Sequence, residues 1–495
     1  MIAFLTPSKA LEQLASNLQQ RRVGLGLTQA GLSARSGVPL GTLKKFEQTG
    51  QASTEALIKL LIALGAAEAT LKASEPETTA FASINEITPV NTVSVGLDFG
   101  DGAVPVGRLA TRDRRIYFEY DAAFVSAGLE ISPHRLALRP GLFPGDPHLF
   151  EGLPGVFNDS LPDGWGRLLF DRALRANGIL PEQVTPLDRL AHVGKRGMGA
   201  LVYEPDQGPD ASGAELDLDR LADQSQDVLQ GEADEVLEEL IALNGSSTGA
   251  RPKAMIGFQP KTGDLVHGVD ALPPGYEAWL VKFPNTQDGK DAGAIEYVYA
   301  QMAQAAGVAM TETRLIKTAK GSAYFATKRF DRVGGARLHA HTASGLLHAD
   351  HRIPSLDYET LVALTQGLTR DVREVEAMFR LAVFNVIAHN RDDHGKNFTY
   401  LMNANGEWRL SPAYDLTFSS GPGGEQTTTV MGQGKAPSIA DLTKLGGVAG
   451  LSKADVQAII GSTREAVREW PELAARHGVT KPQIKLIGSR LAALS

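Results

Sequence analysis

The stretch HNRDDHGKNF, residues 389–398, follows an apolar helical segment and places an amide five positions after a carboxylate. Asp392 and Asn397 form this pair, and Asp415 follows after a short hairpin-like stretch. A carboxylate can accept the proton of an attacking hydroxyl, and an amide oxygen can bind magnesium without adding a full charge beside a triphosphate. The order indicates phosphoryl transfer, with Asp392 as base and Asn397 and Asp415 as metal ligands. Asp393 is the alternative base.

Two upstream features could handle phosphate. NGSSTGARPKA, residues 244–254, is a loop of small and basic residues suited to presenting backbone N–H groups to an anion, although it lacks the GK[ST] of a Walker A loop. Lys282 lies in AWLVKFP, an apolar strand-like segment where a buried ammonium needs an anionic partner. ATP with Mg²⁺ would supply that partner. A surface turn and a strand-end surface lysine are the alternative interpretations.

Composition limits the other classes of chemistry. A chain of 495 residues exceeds the size of one hydrophobic core, so several domains are expected. It has 0 cysteines, which excludes disulfides, thiolate zinc sites and cysteine nucleophiles. The sequence shows neither a membrane-spanning apolar run nor a secretion signal, and this predicts a cytoplasmic protein without membrane contact.

The first 50 residues differ in charge from the rest of the chain. They carry +4, against −12 for the remainder. TQAGLSARSGVPLGTLKKFE, residues 28–47, has helix-turn-helix spacing, with a turn at Gly37 and with Leu43 and Phe46 facing inward. The predicted DNA contacts are Gln29, Gly41, Thr42, Lys44 and Lys45. Pairing on a palindromic operator would require a homodimer, and a helical bundle used only for docking or dimerisation is the alternative.

Pattern changes along the chain predict a multidomain protein. Alternating residues, including Val104, Val106 and Leu109, predict a small antiparallel sheet, and the acidic stretch 204–240 predicts a solvated loop ending in an amphipathic segment. The predicted divisions are an all-α helix-turn-helix domain at 1–70, a linker at 71–92, a β-rich subdomain at 93–200, a kinase N-lobe-like region at 201–330 and a mainly helical catalytic lobe at 331–495.

Two features are interpreted as structural. LDFGDG, residues 97–102, contains the letters DFG. It precedes the small-residue loop at 244–254, called the glycine loop below, so a strand-to-turn connection is predicted. The histidines near residue 345 have irregular spacing and no cysteine partners, which favours a polar loop over a transition-metal site. These four histidines are His339, His341, His348 and His351.

Taken together, these segments resemble the HipA-like kinases of toxin–antitoxin systems, and residues 28–47 resemble a HipB-like repressor of the Cro/C1 type. The HipA resemblance covers residues 93–450 and rests on LPGVFNDSLPDGWG, HVGKRGMGAL, GARPKA, VKFP, KRFDR, HTASGLLHADHRIPSLDYE, DDHGKNF and PAYDL. It implies an α+β fold distantly related to lipid and protein kinases, with an extra N-terminal subdomain.

The resemblance also implies roles for particular residues. It places Phe330 against adenine, Asp392 as base, and an autophosphorylated serine at Ser246 or Ser247. The choice of serine stays open because Gly249 stands where many relatives have a Gly-Gly pair. The implied ATP-binding residues are Thr248, Gly249, Ala250, Arg251, Pro252, Lys253, Lys282, Lys328, Arg329, Phe330, His394, Gly395, Lys396, Asn397, Tyr414 and Asp415.

The sequence thus predicts an ATP-dependent serine/threonine protein kinase that autophosphorylates near its glycine loop and represses its own operon. A transcription regulator with a nucleotide-sensing kinase-like body is one alternative. A small-molecule kinase is another, because it would share the same residues. The protein substrate and the operator cannot be identified from the sequence.

Overall fold

The chain forms two units, residues 1–79 and 80–495, each described by itself. The computed structural model describes residues 7–67, 70, 92–112, 115–176, 178–208, 216–231, 238–244, 249–268, 272–285, 289–318 and 320–492. Most of the predicted linker therefore lies outside the described residues. No described helix is long and apolar enough to cross a membrane.

In the described part of the first unit, helices pack around a small apolar core. They are α1 (Pro7–Gly24), α2 (Gln29–Ser36), α3 (Leu40–Thr49) and α4 (Thr54–Ala63). The Thr28 side chain accepts from the Gly31 N–H at the start of α2, and Gly37 ends that helix with a φ of 69°. Leu43 and Phe46 are buried as predicted, in a core with Leu32 and Leu60.

The second unit begins with an antiparallel sheet of order β4-β3-β2-β1-β5. Its strands are β1 (Thr92–Asp98), β2 (Ala103–Arg112), β3 (Arg115–Tyr120), β4 (Leu142–Pro144) and β5 (Leu201–Glu204). The predicted alternation is confirmed at Val106 and Leu109, which are buried, but Val104 is 54% exposed. The register of β1 on β2 shifts between Val95 and Gly96, so the inward alternation holds only beyond this bulge. LDFGDG is a strand-to-turn connection, because β1 ends at Asp98 and its carboxylate accepts from the Gly100 N–H.

Short helices surround this sheet and lead to the next one. They are α5 (Ala122–Ala127), α6 (Gly155–Asn158), α7 (Gly164–Ala176), α8 (Pro186–Val193), α9 (Leu218–Gln230) and α10 (Glu238–Asn244). The prediction of a solvated loop over 204–240 is wrong for α9, because Leu218, Leu221 and Val228 are buried. Their helical spacing gives the acidic stretch one apolar face, and Asp217 caps the helix through the Asp219 and Arg220 N–H groups.

A second antiparallel sheet has the order β7-β6-β8-β10-β9. Its strands are β6 (Lys253–Phe258), β7 (Leu265–His267), β8 (Glu277–Lys282), β9 (Thr313–Lys317) and β10 (Ala323–Lys328), with α11 (Ala292–Ala305) between β8 and β9. Lys253 of β6 is the register partner of Lys282 of β8. This pairing places two candidate phosphate-binding lysines at the same end of the sheet.

The remainder of the second unit is mainly helical, as expected. Its strands are β11 (Arg332–Val333), β12 (Ala336–Arg337), β13 (His339–Thr342), β14 (Leu356–Asp357), β15 (Thr399–Met402), β16 (Trp408–Leu410) and β17 (Thr428–Thr429). Its helices are α12 (Ala343–Leu347), α13 (Tyr358–Thr369), α14 (Val372–Ile387), α15 (Ile439–Val448), α16 (Lys453–Arg468), α17 (Trp470–Arg476) and α18 (Lys481–Leu491). The central helix α14 packs Phe379 and Phe384 into the largest core, beside Tyr299 of α11. This core fixes the end of α14, from which residues 389–398 emerge.

Candidate functional site

The segment after α14 turns sharply and presents one of its two adjacent carboxylates to a cleft. Asp392 is exposed on the wall of a cavity of 860 Å³ that Asn397 and Asp415 also line. The Asn397 side-chain amide donates to the Asp392 carbonyl oxygen at 2.6 Å. The five-residue spacing thus closes a short loop, and the amide's own oxygen stays available as a ligand atom.

Asp393 is buried and held by the surrounding backbone and side chains. Its carboxylate accepts from the Tyr358 hydroxyl at 2.8 Å, the Gln426 amide at 2.9 Å and the Thr427 and Thr428 N–H groups at 3.0 and 3.1 Å. A carboxylate with four donors cannot readily reach a substrate hydroxyl. The geometry therefore favours Asp392 over Asp393 as the base.

Lys282 connects three elements at the floor of the cleft. Its ammonium donates to Glu296 Oε1 of α11 at 2.5 Å and to the Asp415 carboxylate. Burial alone would raise the pKa of Asp415, but the charges of Lys282 and Lys253 hold it well below its usual range. Asp415 is therefore ionised at neutral pH, as a magnesium ligand must be.

Sequence reasoning did not identify Glu296. It lies 14 residues after Lys282, on an apolar helix, and its side chain is only 3% exposed. Arg251 of the glycine loop also approaches it, with 3.5 Å between Nη1 and Oε2. A lone glutamate on the buried face of a helix was the available signal, because such a charge requires a cationic partner.

The glycine loop is fixed by a residue from the preceding part of the chain. The Gly249 N–H donates to Asp163 Oδ1 at 2.5 Å, and the Trp165 N–H donates to the Gly249 carbonyl at 3.0 Å. Asp163 Oδ2 accepts from the Lys396 ammonium, also at 2.5 Å. Sequence reasoning missed Asp163, and the Gly249 amide that was expected to face phosphate is bonded within the protein.

The rest of this loop is divided between the cavity and the sheet. Ala250, Arg251 and Lys253 line the cavity, whereas the Pro252 carbonyl accepts from the Phe283 N–H at 2.8 Å. Burial and the neighbouring Lys282 lower the pKa of Lys253 to about 8. An arriving phosphate would favour its charged form. Ser246, Ser247 and Thr248 lie outside the described residues.

Removing the Asp163 carboxylate should loosen the loop. In Asp163→Ala the Gly249 N–H and the Lys396 ammonium both lose their acceptor, and a hydrogen bond to a charged group contributes about 1.5–3 kcal/mol. We expect amide hydrogen exchange in a peptide covering residues 249–254 to accelerate about tenfold or more. Asp171→Ala is the matched control, since its nearest ion pair, to Arg167, is 3.8 Å long. Equal exchange rates in the wild type, Asp163→Ala and Asp171→Ala would show that Asp163 does not hold the loop in place.

The predicted ATP-binding residues 328–330 adjoin a second, smaller cavity. Lys328, Arg329 and Phe330 line a space of 110 Å³, and the Phe330 and Tyr414 rings lie 5.4 Å apart along it. The Lys328 ammonium is paired with Glu277 at 2.6 Å, and the Arg329 guanidinium with buried Asp331. The aromatic pair is therefore the surface against which a base could stack.

The two cavities meet at four shared lining residues. These are Lys253, Lys282, Lys396 and Asp415. His394 and Asn397 line the larger cavity, but Gly395 does not, because it packs against Ser344 and Leu356. A single ligand could thus place a flat ring in the small cavity and its polyanionic part between the four shared residues.

The histidines do not form a metal site. No group of three or more His, Asp or Glu side chains suited to a metal occurs among the described residues. His341 instead bridges Ser132 at 2.9 Å and Asp159 at 2.6 Å, and His348 accepts from the Gly155 N–H at 3.2 Å. The predicted polar loop is wrong for His339 and His341, which are buried on β13.

In the separate first unit, the outward face of α3 carries the predicted DNA contacts. Gly41, Lys44 and Lys45 are exposed and Thr42 is partly so. Gln29 differs from expectation, because its amide donates to Glu47 Oε2 at 2.8 Å, and Glu47 also pairs with Arg22. In this structure Gln29 therefore joins α2 to α3 rather than extending outward.

The sequence matches two family models. Residues 101–204 match the family model described as the HipA N-terminal domain, and residues 245–470 match the HipA-like C-terminal domain. The chain carries both HipA domains. It is 24% identical over 338 residues to "Putative kinase Y4dM" of Sinorhizobium fredii (strain NBRC 101917 / NGR234), covering 64% of this chain and 75% of that protein.

A solved structure shares the fold. It is a chain of the Shewanella oneidensis MR-1 toxin–antitoxin system HipA, HipB and operator DNA complex, with a TM-score of 0.59 and 15% identity. The match covers 81% of this chain and 95% of that chain. Within this fold, Asp163 belongs to the HipA N-terminal domain, whereas Gly249 and Lys396 belong to the C-terminal one. The hydrogen bonds of Asp163 therefore connect the two matched domains.

Proposed function

We propose that this chain is an ATP-dependent kinase that transfers the γ-phosphoryl group to a serine or threonine hydroxyl of a protein. The observation that carries the proposal is the buried pair between Lys282 on a strand and Glu296 on the following helix, with Asp415 on the same ammonium. Protein kinases need this strand-lysine and helix-glutamate pair to position phosphates. Asp392 and Asn397 line the same cleft.

Each residue of the site has a separate role in the proposed reaction. Phe330 and Tyr414 hold the adenine, and Lys253, Lys282 and Arg251 hold the phosphates. Asp392 accepts the proton of the attacking hydroxyl as the oxygen attacks the γ-phosphorus, and the bond to the β-phosphate oxygen breaks. Lys396, kept in place by Asp163, neutralises charge that develops on the transferred group.

The donor atoms fit a magnesium ion. Asn397 Oδ1 and the ionised Asp415 carboxylate are hard oxygen ligands, and Mg²⁺ is usually held by one or two carboxylates together with substrate phosphates and water. When held by Asn397 and Asp415, the ion would offset the negative charge of the substrate phosphates. Of the two proposed ligands only Asp415 is a carboxylate, which is consistent with this shared coordination.

Two observations separate the proposal from its alternatives. A protein that only senses nucleotide has no need of an exposed carboxylate beside its phosphate site, yet Asp392 occupies that position. A small-molecule kinase would use the same residues, so the protein substrate rests on the likeness to HipA. Incubation of the purified chain with labelled ATP and magnesium, followed by phosphosite mapping, tests the proposal. Absence of label on the chain and on any added protein would refute it.

We further propose that the first unit binds operator DNA as a dimer. The support is the exposed pair of lysines on α3 and the positive charge of residues 1–50. The solved complex that holds the chain of similar fold also contains HipB and operator DNA. A DNA-binding first unit would supply the corresponding function within this chain. We also propose that the kinase autophosphorylates at Ser246 or Ser247.

The α3 lysines should set the salt dependence of DNA binding. Each phosphate contact releases about one counterion, so Lys44→Ala with Lys45→Ala should reduce the slope of log affinity against log salt by about 2. Binding of the full chain to palindromic DNA from upstream of its gene is measured between low and moderate salt. Lys59→Ala is the control, because this exposed lysine of α4 pairs with Glu55. An unchanged slope in the double variant would place the DNA elsewhere.

A further inference from the structure

A separate cavity adjoins residues 389–391, just before Asp392. It has a volume of 330 Å³ and shares no lining residue with the two cavities of the cleft. Apolar residues form part of its wall, at Val386, Ile387, Ala436 and Pro437, and the polar part consists of His389, Arg391, Gln426, Ser438, Ser489 and Arg490. Its ionisable lining residues are one histidine and two arginines. No aspartate or glutamate lines it within the described part of the chain.

The charges in this cavity repel one another. Burial and the charge of Arg490 lower the pKa of Arg391, and burial followed by the charges of Arg391 and Arg490 lowers the pKa of His389. Asp393 and Glu425 act on Arg391 in the opposite direction. Neither carboxylate lines the cavity, and within the described part of the chain neither forms an ion pair with Arg391 or Arg490. An anion in the cavity would remove this repulsion.

The arginine head group is already oriented. Arg391 Nη1 donates to the Gly424 carbonyl and Nη2 to the Lys435 carbonyl at 3.3 Å. A guanidinium carries five N–H donors, so these two bonds fix its plane and leave others for a ligand. Arg490 lies on α18, beyond residue 470 where the match to the HipA-like C-terminal domain ends. The cavity is thus lined both by residues inside the matched domain and by residues of a helix that follows it.

The position of the cavity links it to the catalytic base. Arg391 directly precedes Asp392, and His389 stacks on Phe418 with the rings 5.3 Å apart. The segment tied by Arg391 at Gly424 and Lys435 follows Asp415, as a kinase activation segment follows its metal-binding aspartate. In kinases such segments are ordered when phosphoryl groups pair with arginine.

We propose that this cavity binds a phosphoryl group through Arg391 and Arg490 and that its occupation orders residues 389–398. Phosphate oxygens suit the arginine fork, and the Ser489 hydroxyl lies on the same wall as Arg490. The source is either a soluble phosphate compound or a phosphorylated side chain of this protein. The binding itself does not depend on the proposed kinase activity.

Phosphate binding to the full chain tests the proposal. Inorganic phosphate is titrated at constant ionic strength, with chloride as the reference salt, by calorimetry and thermal denaturation. Arg490→Gln should lose one binding event or weaken it at least tenfold, while the cleft, which does not contain Arg490, should respond as in the wild type. Arg476→Gln is the matched control, since Arg476 is exposed on the neighbouring α17 and pairs with Glu472.

Two arms distinguish the source of the group. A phosphate-induced rise in melting temperature that Arg490→Gln abolishes supports a soluble ligand. A fall in melting temperature after phosphatase treatment, seen in the wild type and absent in Arg490→Gln, supports a phosphorylated side chain. Identical phosphate titrations of the wild type and Arg490→Gln, together with no effect of phosphatase, would overturn the proposal even if the chain is an active kinase.

Discussion

Asp392→Asn is expected to reduce phosphoryl transfer by about 10²–10⁴-fold while leaving ATP binding nearly unchanged, since that is the range that a positioned general base contributes. The amide has almost the same shape but cannot accept the proton of the attacking hydroxyl. Asn397 should keep its place, because it is bonded to the Asp392 backbone carbonyl and not to the carboxylate. Single-turnover transfer and nucleotide affinity, measured on the same preparation, separate the two effects.

Asp393→Asn provides the matched control. Four donors converge on that buried carboxylate, so an amide NH₂ would face groups that also donate. We expect a loss of folding stability of about 1–3 kcal/mol, the usual penalty for unsatisfied buried groups. Full transfer by Asp392→Asn, or a loss of transfer in Asp393→Asn without any loss of stability, would assign the base to Asp393.

Lys282→Met is expected to damage stability and nucleotide binding together. The substitution keeps much of the side-chain volume but leaves Glu296, which is 3% exposed, and Asp415 without the ammonium that they share. Removing one partner of a buried ion pair typically destabilises a protein by about 3–5 kcal/mol. We expect a lower denaturation midpoint in urea and a rise of at least tenfold in the ATP concentration needed for half-maximal transfer.

The control for this variant is a lysine with a solvated partner. Lys320 is 64% exposed and lies 3.9 Å from Asp223, so Lys320→Met should change stability by less than about 1 kcal/mol. Added magnesium should restore part of the stability of Lys282→Met, because the ion can occupy the remaining Asp415 carboxylate. Native stability of Lys282→Met with normal ATP dependence would contradict the shared role of this lysine.

Local patterns predicted the parts of the site that lie close together in sequence. Asp392 and Asn397 are separated by five positions, and their loop closes through a backbone hydrogen bond. The exposed and buried faces of α3 follow from helical periodicity alone. The turn after β1 likewise depends on Asp98 and the glycines beside it.

Long-range contacts explain what the sequence did not predict. Asp163 and Gly249 are 86 residues apart, and no periodic pattern relates them. Glu296 resembled any charged residue of an amphipathic helix until β8 placed Lys282 beside it. The error at 204–240 arose differently, because the high acidic content concealed an apolar face that buries Leu221 against the second sheet.

The position of Asp163 also bears on the inheritance of this protein. The residues that hold Gly249, from Asp163 to Trp165, are encoded far upstream of the loop, and a side chain on Gly164 would collide with the Gly249 carbonyl at 2.6 Å. A gene shortened to its C-terminal half would therefore encode a cleft with an unsupported loop. Recombination between relatives would preserve the site only when both halves came from the same parent or matched at this contact.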